Sequence, residues 1–247
     1  MTPFWISLAL VFLFSVLSRL FAKPAYIDNG IDTKFPKPNK FFVFLVMATL
    51  VIFSGLRVNI GDTYVYIASY EKNDLTWELV SSGKDIGFGI LQMFLQSFSK
   101  DPQFMIFTVA LITNVLIVLV FYNYSRIFEL STYIYITGGT YLISMNGIRQ
   151  VLAASICFIA IKYLLNRNFG KYALLIALAS TIHFSALIML PVYFLVHLKA
   201  WSKYTFIMIG ASVAIVFGFE TFTSILFSAL EDTQYSEYST FDEGGAN

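Results

Sequence analysis

This sequence has little charge, little histidine and almost no cysteine. Only 13% of its 247 residues are charged, two are histidines and one is a cysteine. The lone thiol, Cys157, excludes a disulfide framework or a cysteine-rich cluster, and its place inside an apolar run reads as packing. A net charge of +1 excludes a general attraction to nucleic acid. No Asp-x-Asp pair is present to carry a metal–nucleotide sugar, and no Gly-Lys-Ser/Thr loop to cradle a nucleotide phosphate. Neither His183 nor His197 has clustered metal ligands beside it, so the reading calls for no metal and no cofactor. A nucleotide-driven pump or a cytoplasmic sugar-nucleotide transferase is disfavoured on these grounds.

What is present is apolar: 57% of the chain is hydrophobic and 18% aromatic, a composition for a polytopic membrane protein rather than a soluble domain. The N-terminus lacks the basic region of a signal peptide, and Pro3–Ala22 is long enough to span, so it reads as a transmembrane helix. Apolar runs follow at Phe41–Leu56, Phe104–Tyr122, Leu130–Ser144, Ile148–Leu165, Tyr172–Leu198 and Tyr204–Phe219. Backbone amides inside a bilayer must be bonded within their own segment, so these runs predict helices.

Two segments decide the topology. Ile86–Phe98 is short and amphipathic, with Gln92 and Gln96 on one face and Ile90, Leu91, Phe94, Leu95 and Phe98 on another, which predicts an interfacial or re-entrant helix. Tyr172–Leu198 is either one long kinked helix or a hairpin turning near Thr181–Ser185. The bias of lysine and arginine toward inner loops arbitrates. With a hairpin, eleven cations fall inside (Arg19, Lys23, Lys34, Lys37, Lys40, Arg126, Lys162, Arg167, Lys171, Lys199, Lys203) and five outside (Arg57, Lys72, Lys84, Lys100, Arg149). The prediction is an all-α, polytopic membrane helix bundle, one domain over 1–247, with about eight crossings plus the one interfacial or re-entrant helix. Both termini lie outside. An outer loop covers 57–102, and an acidic outer tail, 220–247, looks like a chain interrupted in a loop.

Charge at bilayer depth costs about 2.5–3.5 kcal/mol even on the mildest insertion scale, so polar groups at the span edges are candidates for function. Three constellations reach the same, outer side. The first is Gly55-Leu56-Arg57 followed by Gly61-Asp62-Thr63-Tyr64. Arg57 offers a planar fork suited to a diphosphate, Gly61 permits close backbone approach, and Asp62 is placed to orient Arg57 or accept a proton. The alternative is an arginine snorkelling to headgroups beside an ordinary turn. The second is Asn146-Gly147-Ile148-Arg149-Gln150, a polar break before the small residues Ala153, Ala154 and Ser155. Arg149, two residues into a helix, meets the positive end of the macrodipole, and a nearby anion would repair that conflict. The third is Thr181-Ile182-His183-Phe184-Ser185, where the imidazole is either a general base or a core histidine bonded to a carbonyl. The Tyr64/Tyr66 pair is left open between sugar stacking and an interfacial aromatic belt.

At these constellations, and at Asp85-Ile86-Gly87-Phe88, the sequence resembles the EpsG family of bacterial exopolysaccharide-assembly membrane proteins, which are similar to Wzy-type polymerases. Order and approximate spacing agree over nearly the whole chain, although family members generally run longer. The resemblance implies a multi-pass protein of the bacterial cell membrane that joins undecaprenyl-diphosphate-linked oligosaccharides at the outer face for biofilm matrix synthesis. Membrane lipid and other exopolysaccharide-assembly proteins are the further partners. On this reading Arg149, His183 and Asp62 are catalytic. Arg57, Gly61, Thr63, Tyr64, Asn146 and Gln150 bind substrate. The competing reading is a non-catalytic translocator or scaffold of an export complex, which the nearly charge-free mid-spans disfavour. An acyltransferase using His183 with Asn146 is a third, without any sign of an acyl-carrier pocket.

Overall fold

The computed structural model of the chain describes residues 2–26, 34–58, 60–72, 74–83, 85–199 and 201–229. Asp28, Asp32, Asn59, Lys84 and the acidic tail from 230 onward lie outside the described residues. Helix α1 (Thr2–Leu20) leads through a short antiparallel hairpin, β1 (Lys23–Tyr26) and β2 (Lys34–Lys37), into α2 (Lys40–Gly55). The outer-loop stretch carries α3 (Thr63–Lys72), α4 (Trp77–Ser81) and α5 (Ile86–Gln96). Then come α6 (Pro102–Tyr124), α7 (Phe128–Thr137), α8 (Thr140–Asn146), α9 (Ile148–Ile159), α10 (Ile161–Leu165) and α11 (Phe169–Ile182). A 3-10 segment (Phe184–Ile188), α12 (Met189–Val196), α13 (Lys203–Phe217) and α14 (Phe219–Ala229) complete the described chain.

Local chemistry explains where the helices begin. Asn39 caps α2 by accepting from the Phe41 amide at 3.0 Å, and Asp101 caps α6 by accepting from Gln103 at 2.9 Å, with Pro102 in the first turn. The structure is all-α apart from the small hairpin. Three helical stretches are long and apolar enough to cross a membrane: Pro3–Leu20, Pro102–Tyr124 and Ile148–Leu165. Lys40–Gly55, Ile86–Gln96, Phe169–Ile182, Phe184–Val196 and Lys203–Phe217 are apolar but shorter.

Two predicted runs are divided. Leu130–Ser144 breaks at Gly138-Gly139, where Gly139 takes a φ of 82°, a conformation glycine adopts without a Cβ clash. Tyr172–Leu198 breaks at His183, whose extended backbone (φ −151°, ψ 115°) ends α11 within the predicted turn. The chain then doubles back, because the hydroxyl of Tyr172, in the first turn of α11, donates to the Met189 carbonyl at 2.6 Å.

The chain forms two compact units, residues 1–190 and 191–247. In the first, α1 packs on α2 and α7, α2 on α6, α6 on α9, α9 on α11, and α11 on α5 and the 3-10 segment. Val11, Val46, Leu50, Ile117, Val118, Ile136 and Tyr141 are central to its core. Hydrogen bonds cross the interior between helices. Asn114 donates to Ser54 Oγ at 3.1 Å, Tyr135 donates to Asn114 Oδ1 at 3.2 Å, and the Ser15 and Thr132 hydroxyls meet at 2.9 Å. Large apolar side chains such as Phe12, Phe44 and Leu174 face outward. Polar groups inside and bare apolar groups outside suit a lipid surround, where interhelical hydrogen bonds contribute about 0.6–2 kcal/mol each. The second unit contains α13 and α14, whose described side chains are largely exposed and apolar.

Helix α5 shows the same inversion in miniature. Its polar face points inward: Gln92 is buried against Met105, and Gln96 accepts from the Leu75 amide at 3.0 Å and donates to the Tyr70 carbonyl at 2.7 Å. Ile86, Ile90, Phe94 and Phe98, one helical turn apart, form an exposed stripe. Contacts also sort the charged residues by end. Arg19 pairs with Glu129, Asn39 donates to the Phe21 carbonyl, and Lys37 lies over the Tyr122 ring at one end of the bundle. Gln103 donates to the Gly55 carbonyl at the other, where the candidate constellations gather.

Candidate functional site

At that second end the loop after α2 folds back on its own helix. Arg57 is buried and donates from Nη1 to the Ser54 carbonyl at 2.5 Å and from Nε to Thr63 Oγ1 at 3.2 Å. It thus caps one orphan carbonyl at the C-terminus of α2, the end where the macrodipole favours a cation. Burial pushes the guanidinium down to about 10, which leaves it charged at neutral pH. Thr63 is itself fully buried, and its hydroxyl donates to the Ile60 carbonyl at 2.6 Å with the Met145 carbonyl 3.3 Å away. Next to it, the Asp62 amide donates to Asn146 Oδ1 at 2.7 Å. This latch needs Gly61, which has a φ of 53° and whose Cβ, if added, would lie 2.0 Å from Asn146 Oδ1. The Arg57 and Asn146 constellations, more than eighty residues apart in sequence, are therefore one piece of structure.

Arg149 and His183 meet on a third residue, Asp85. Arg149 Nη1 donates to Asp85 Oδ2 at 2.9 Å, and His183 Nδ1 lies 3.5 Å from the same oxygen. Arg149 Nε also donates to the Tyr66 hydroxyl at 3.3 Å, its guanidinium lies 5.6 Å from that ring's centroid, and Tyr66 packs edge-on to Phe88. The carboxylate supplies the anion that an arginine in the first turn of α9 requires. Exposure is graded across the cluster: 5% for the Asp85 side chain, 24% for His183 and 41% for Arg149. The imidazole and guanidinium therefore present working faces while the acid between them is enclosed. His183 Nε2 is without a partner among the described residues.

Asp85 is arranged against its own local interest. It stands at the N-cap of α5 but makes no capping bond, forgoing about 0.5–2 kcal/mol that an aspartate there ordinarily contributes. Its Oδ1 is buried without a hydrogen-bond partner among the described residues. Buried carboxylate oxygens are rarely left so, because desolvation is then uncompensated.

A cleft of about 340 Å³ runs beside the cluster, between α9 and the 3-10 segment. Gln150, His183 and Ser185 give it polar groups, and Ala154, Phe158 and Met189 line its apolar wall. Among the described residues no group of three or more histidine, cysteine, aspartate or glutamate side chains gathers around a possible metal position.

The sequence candidates thus fall into two sets. Arg149, His183 and Gln150 lie at one cluster and its cleft. Arg57, Gly61, Thr63 and Asn146 form the adjoining latch, in which Arg57 is a buried cap. Asp62 and Tyr64 are exposed, and among the described residues the Asp62 carboxylate has no bonded partner. Asp85 is the residue of this cluster that residue-by-residue reasoning missed, while Tyr66, from the pair left open between stacking and belt, lies against Arg149. An aspartate before an apolar run reads as a cap, and only its place in the Asp85-Ile86-Gly87-Phe88 stretch marked it.

The chain belongs to the EpsG family, whose model matches residues 40–247. It is accordingly a membrane protein associated with polysaccharide biosynthesis. Comparison with curated proteins and with solved structures yields no match.

Proposed function

We propose that this protein is an exopolysaccharide polymerase, a metal-independent membrane glycosyltransferase. It joins undecaprenyl-diphosphate-linked oligosaccharides at the outer face of the bacterial cell membrane, in synthesis of a biofilm matrix. The observation that carries this reading is the convergence of Arg149 and His183 on one buried carboxylate, next to a largely apolar cleft that Gln150, His183 and Ser185 also line. Transfer from a lipid diphosphate needs a cation for the leaving group and a base for the acceptor, and the cluster offers both.

In the proposed reaction a hydroxyl of one repeat unit attacks the anomeric carbon of another. The new C–O bond forms as the bond to the diphosphate breaks, and that bond's electron pair leaves with the diphosphate. Arg149, with donors still open on its exposed fork, stabilises the growing negative charge, an interaction stronger in the transition state than before it. The hydroxyl proton passes to His183 Nε2, a transfer worth about 10²–10⁴-fold when well placed. Asp62, exposed and without a bonded partner among the described residues, is left as a group that contacts the acceptor rather than the reacting atoms. Tyr64, equally exposed, offers a ring for sugar stacking. Arg57 contributes by holding the loop that carries both.

The test is direct. Purified protein in detergent or nanodiscs, given lipid-linked repeat units extracted from cells lacking this protein, should produce a ladder of longer lipid-linked glycans. Unchanged substrate, with the protein folded, would leave the translocator or scaffold reading in its place.

A further inference from the structure

Arg149 and His183 do not merely neighbour Asp85; they address the same atom, Oδ2, at 2.9 Å and 3.5 Å. The second oxygen, Oδ1, is buried and has no hydrogen-bond partner among the described residues. One oxygen therefore faces both groups, and the guanidinium, the nearer of the two, holds it. Of the three side chains, Arg149 is the most exposed and the only permanent cation, so it is the group an incoming anion meets.

We infer that Asp85 is a positioning residue whose Oδ2 is handed from Arg149 to His183 when the donor's diphosphate binds. This rests on the polymerase reading above and adds an order of events to it. A diphosphate carries more charge than a carboxylate and offers oxygens in the bidentate geometry a guanidinium prefers, so it displaces Asp85 from Nη1. The freed oxygen closes on Nδ1 of His183 and holds the proton there. Nε2 is then the basic nitrogen, aimed at the acceptor hydroxyl. Before donor arrives, the imidazole lacks this support and proton abstraction is idle. The Tyr66 hydroxyl and ring keep Arg149 in register during the exchange, through contacts at 3.3 Å and 5.6 Å.

The exchange predicts opposite signs for binding and turnover, which a merely structural role for Asp85 would not give. In Asp85→Asn, Arg149 loses a competing negative charge. Inorganic diphosphate, titrated into the detergent-solubilised full chain by calorimetry, should bind about fivefold or more tightly, consistent with removing a like charge a few ångströms away. In the same variant kcat for glycan extension should fall by about 10²–10⁴-fold, the range of a lost general base. Asp85→Asn with His183→Gln should be no slower than either alone, because one residue acts through the other. A wild-type measurement guards against a variant that fails to fold: with ¹⁵N-histidine, added diphosphate should move His183 toward the Nδ1–H tautomer and leave His197 unchanged. Weaker or equal diphosphate binding in Asp85→Asn, wild-type kcat in that variant, or an unmoved His183 signal would each overturn the exchange. Absence of any ladder from the wild type would instead remove the polymerase reading, while the diphosphate and histidine measurements still decide the exchange.

Discussion

Gly87 of α5 lies against Thr181 of α11 so closely that a Cβ on it would sit 2.3 Å from Thr181 Oγ1 and 2.8 Å from the Thr181 carbonyl carbon. Two residues before Gly87 stands Asp85, and two residues after Thr181 stands His183. The contact between the helices thus fixes the distance between acid and imidazole. Gly87→Ala should push α5 away from α11 at a cost of about 1–3 kcal/mol, the usual range for overpacking. Polymer formation should fall more than tenfold while protein still accumulates in the membrane. Wild-type activity in the alanine variant would show that the spacing is not critical.

Arg149→Lys and Arg149→Ala should both abolish polymer with normal membrane accumulation. Lysine keeps the charge but not the fork, so its failure would separate bidentate recognition from simple attraction. Normal polymer chain length in both variants would count against any role for this guanidinium.

The latch between Asp62 and Asn146 should show coupling. Gly61→Ala meets Asn146 Oδ1 and takes on a strained positive φ, so it should lower the thermal midpoint markedly. Asn146→Ala removes the two nearest atoms, leaving only its Cβ at 3.0 Å, while taking away the acceptor of the Asp62 amide. Adding Gly61→Ala in the Asn146→Ala background should therefore cost less than it does alone, with a coupling energy of about 0.5–3 kcal/mol in a double-mutant cycle. Strict additivity would mean the two do not touch in solution.

Arg57→Ala leaves the Ser54 carbonyl and Thr63 hydroxyl without their donor, and should cost about 1–3 kcal/mol of stability. Its signature should be a lower thermal midpoint with a KM for donor close to wild type, the reverse of a residue that grips diphosphate. Because folding lowers this group from its ordinary value to about 10, the unfolded chain holds the proton more tightly. Stability therefore rises with pH only between about 10 and the unfolded value, and an acid-to-neutral titration should carry no Arg57 component.

Membrane sidedness is open to labelling. Single cysteines at Ser185 and Lys199, in a Cys157→Ala background, should differ toward an impermeant thiol reagent applied from outside: the first reacts and the second does not. The opposite pattern would restore a single long span over Tyr172–Leu198 and place the imidazole on the wrong side for an outer-leaflet donor.

Hydropathy alone was enough to read an all-α chain of apolar helices and the amphipathic character of Ile86–Phe98, because one-dimensional pattern reports directly on where backbone amides must be satisfied. The bias of loop cations chose a turn near Thr181–Ser185, where α11 ends at His183, and the helix macrodipole raised the question of what anion answers Arg149 in the first turn of α9. The sequence could not say that the anion is Asp85, sixty-four residues earlier, nor that Arg57 turns inward to cap its own helix. It did not foresee that Gln92 and Gln96 of α5 face the protein while Phe94 and, just beyond the helix, Phe98 face away. Pairings of that kind depend on which helix ends meet, and that is decided by packing. The glycine contacts at Gly61 and Gly87 let loop and helix approach at near-contact distance, and only then does a carboxylate with no local use find an arginine and a histidine within reach.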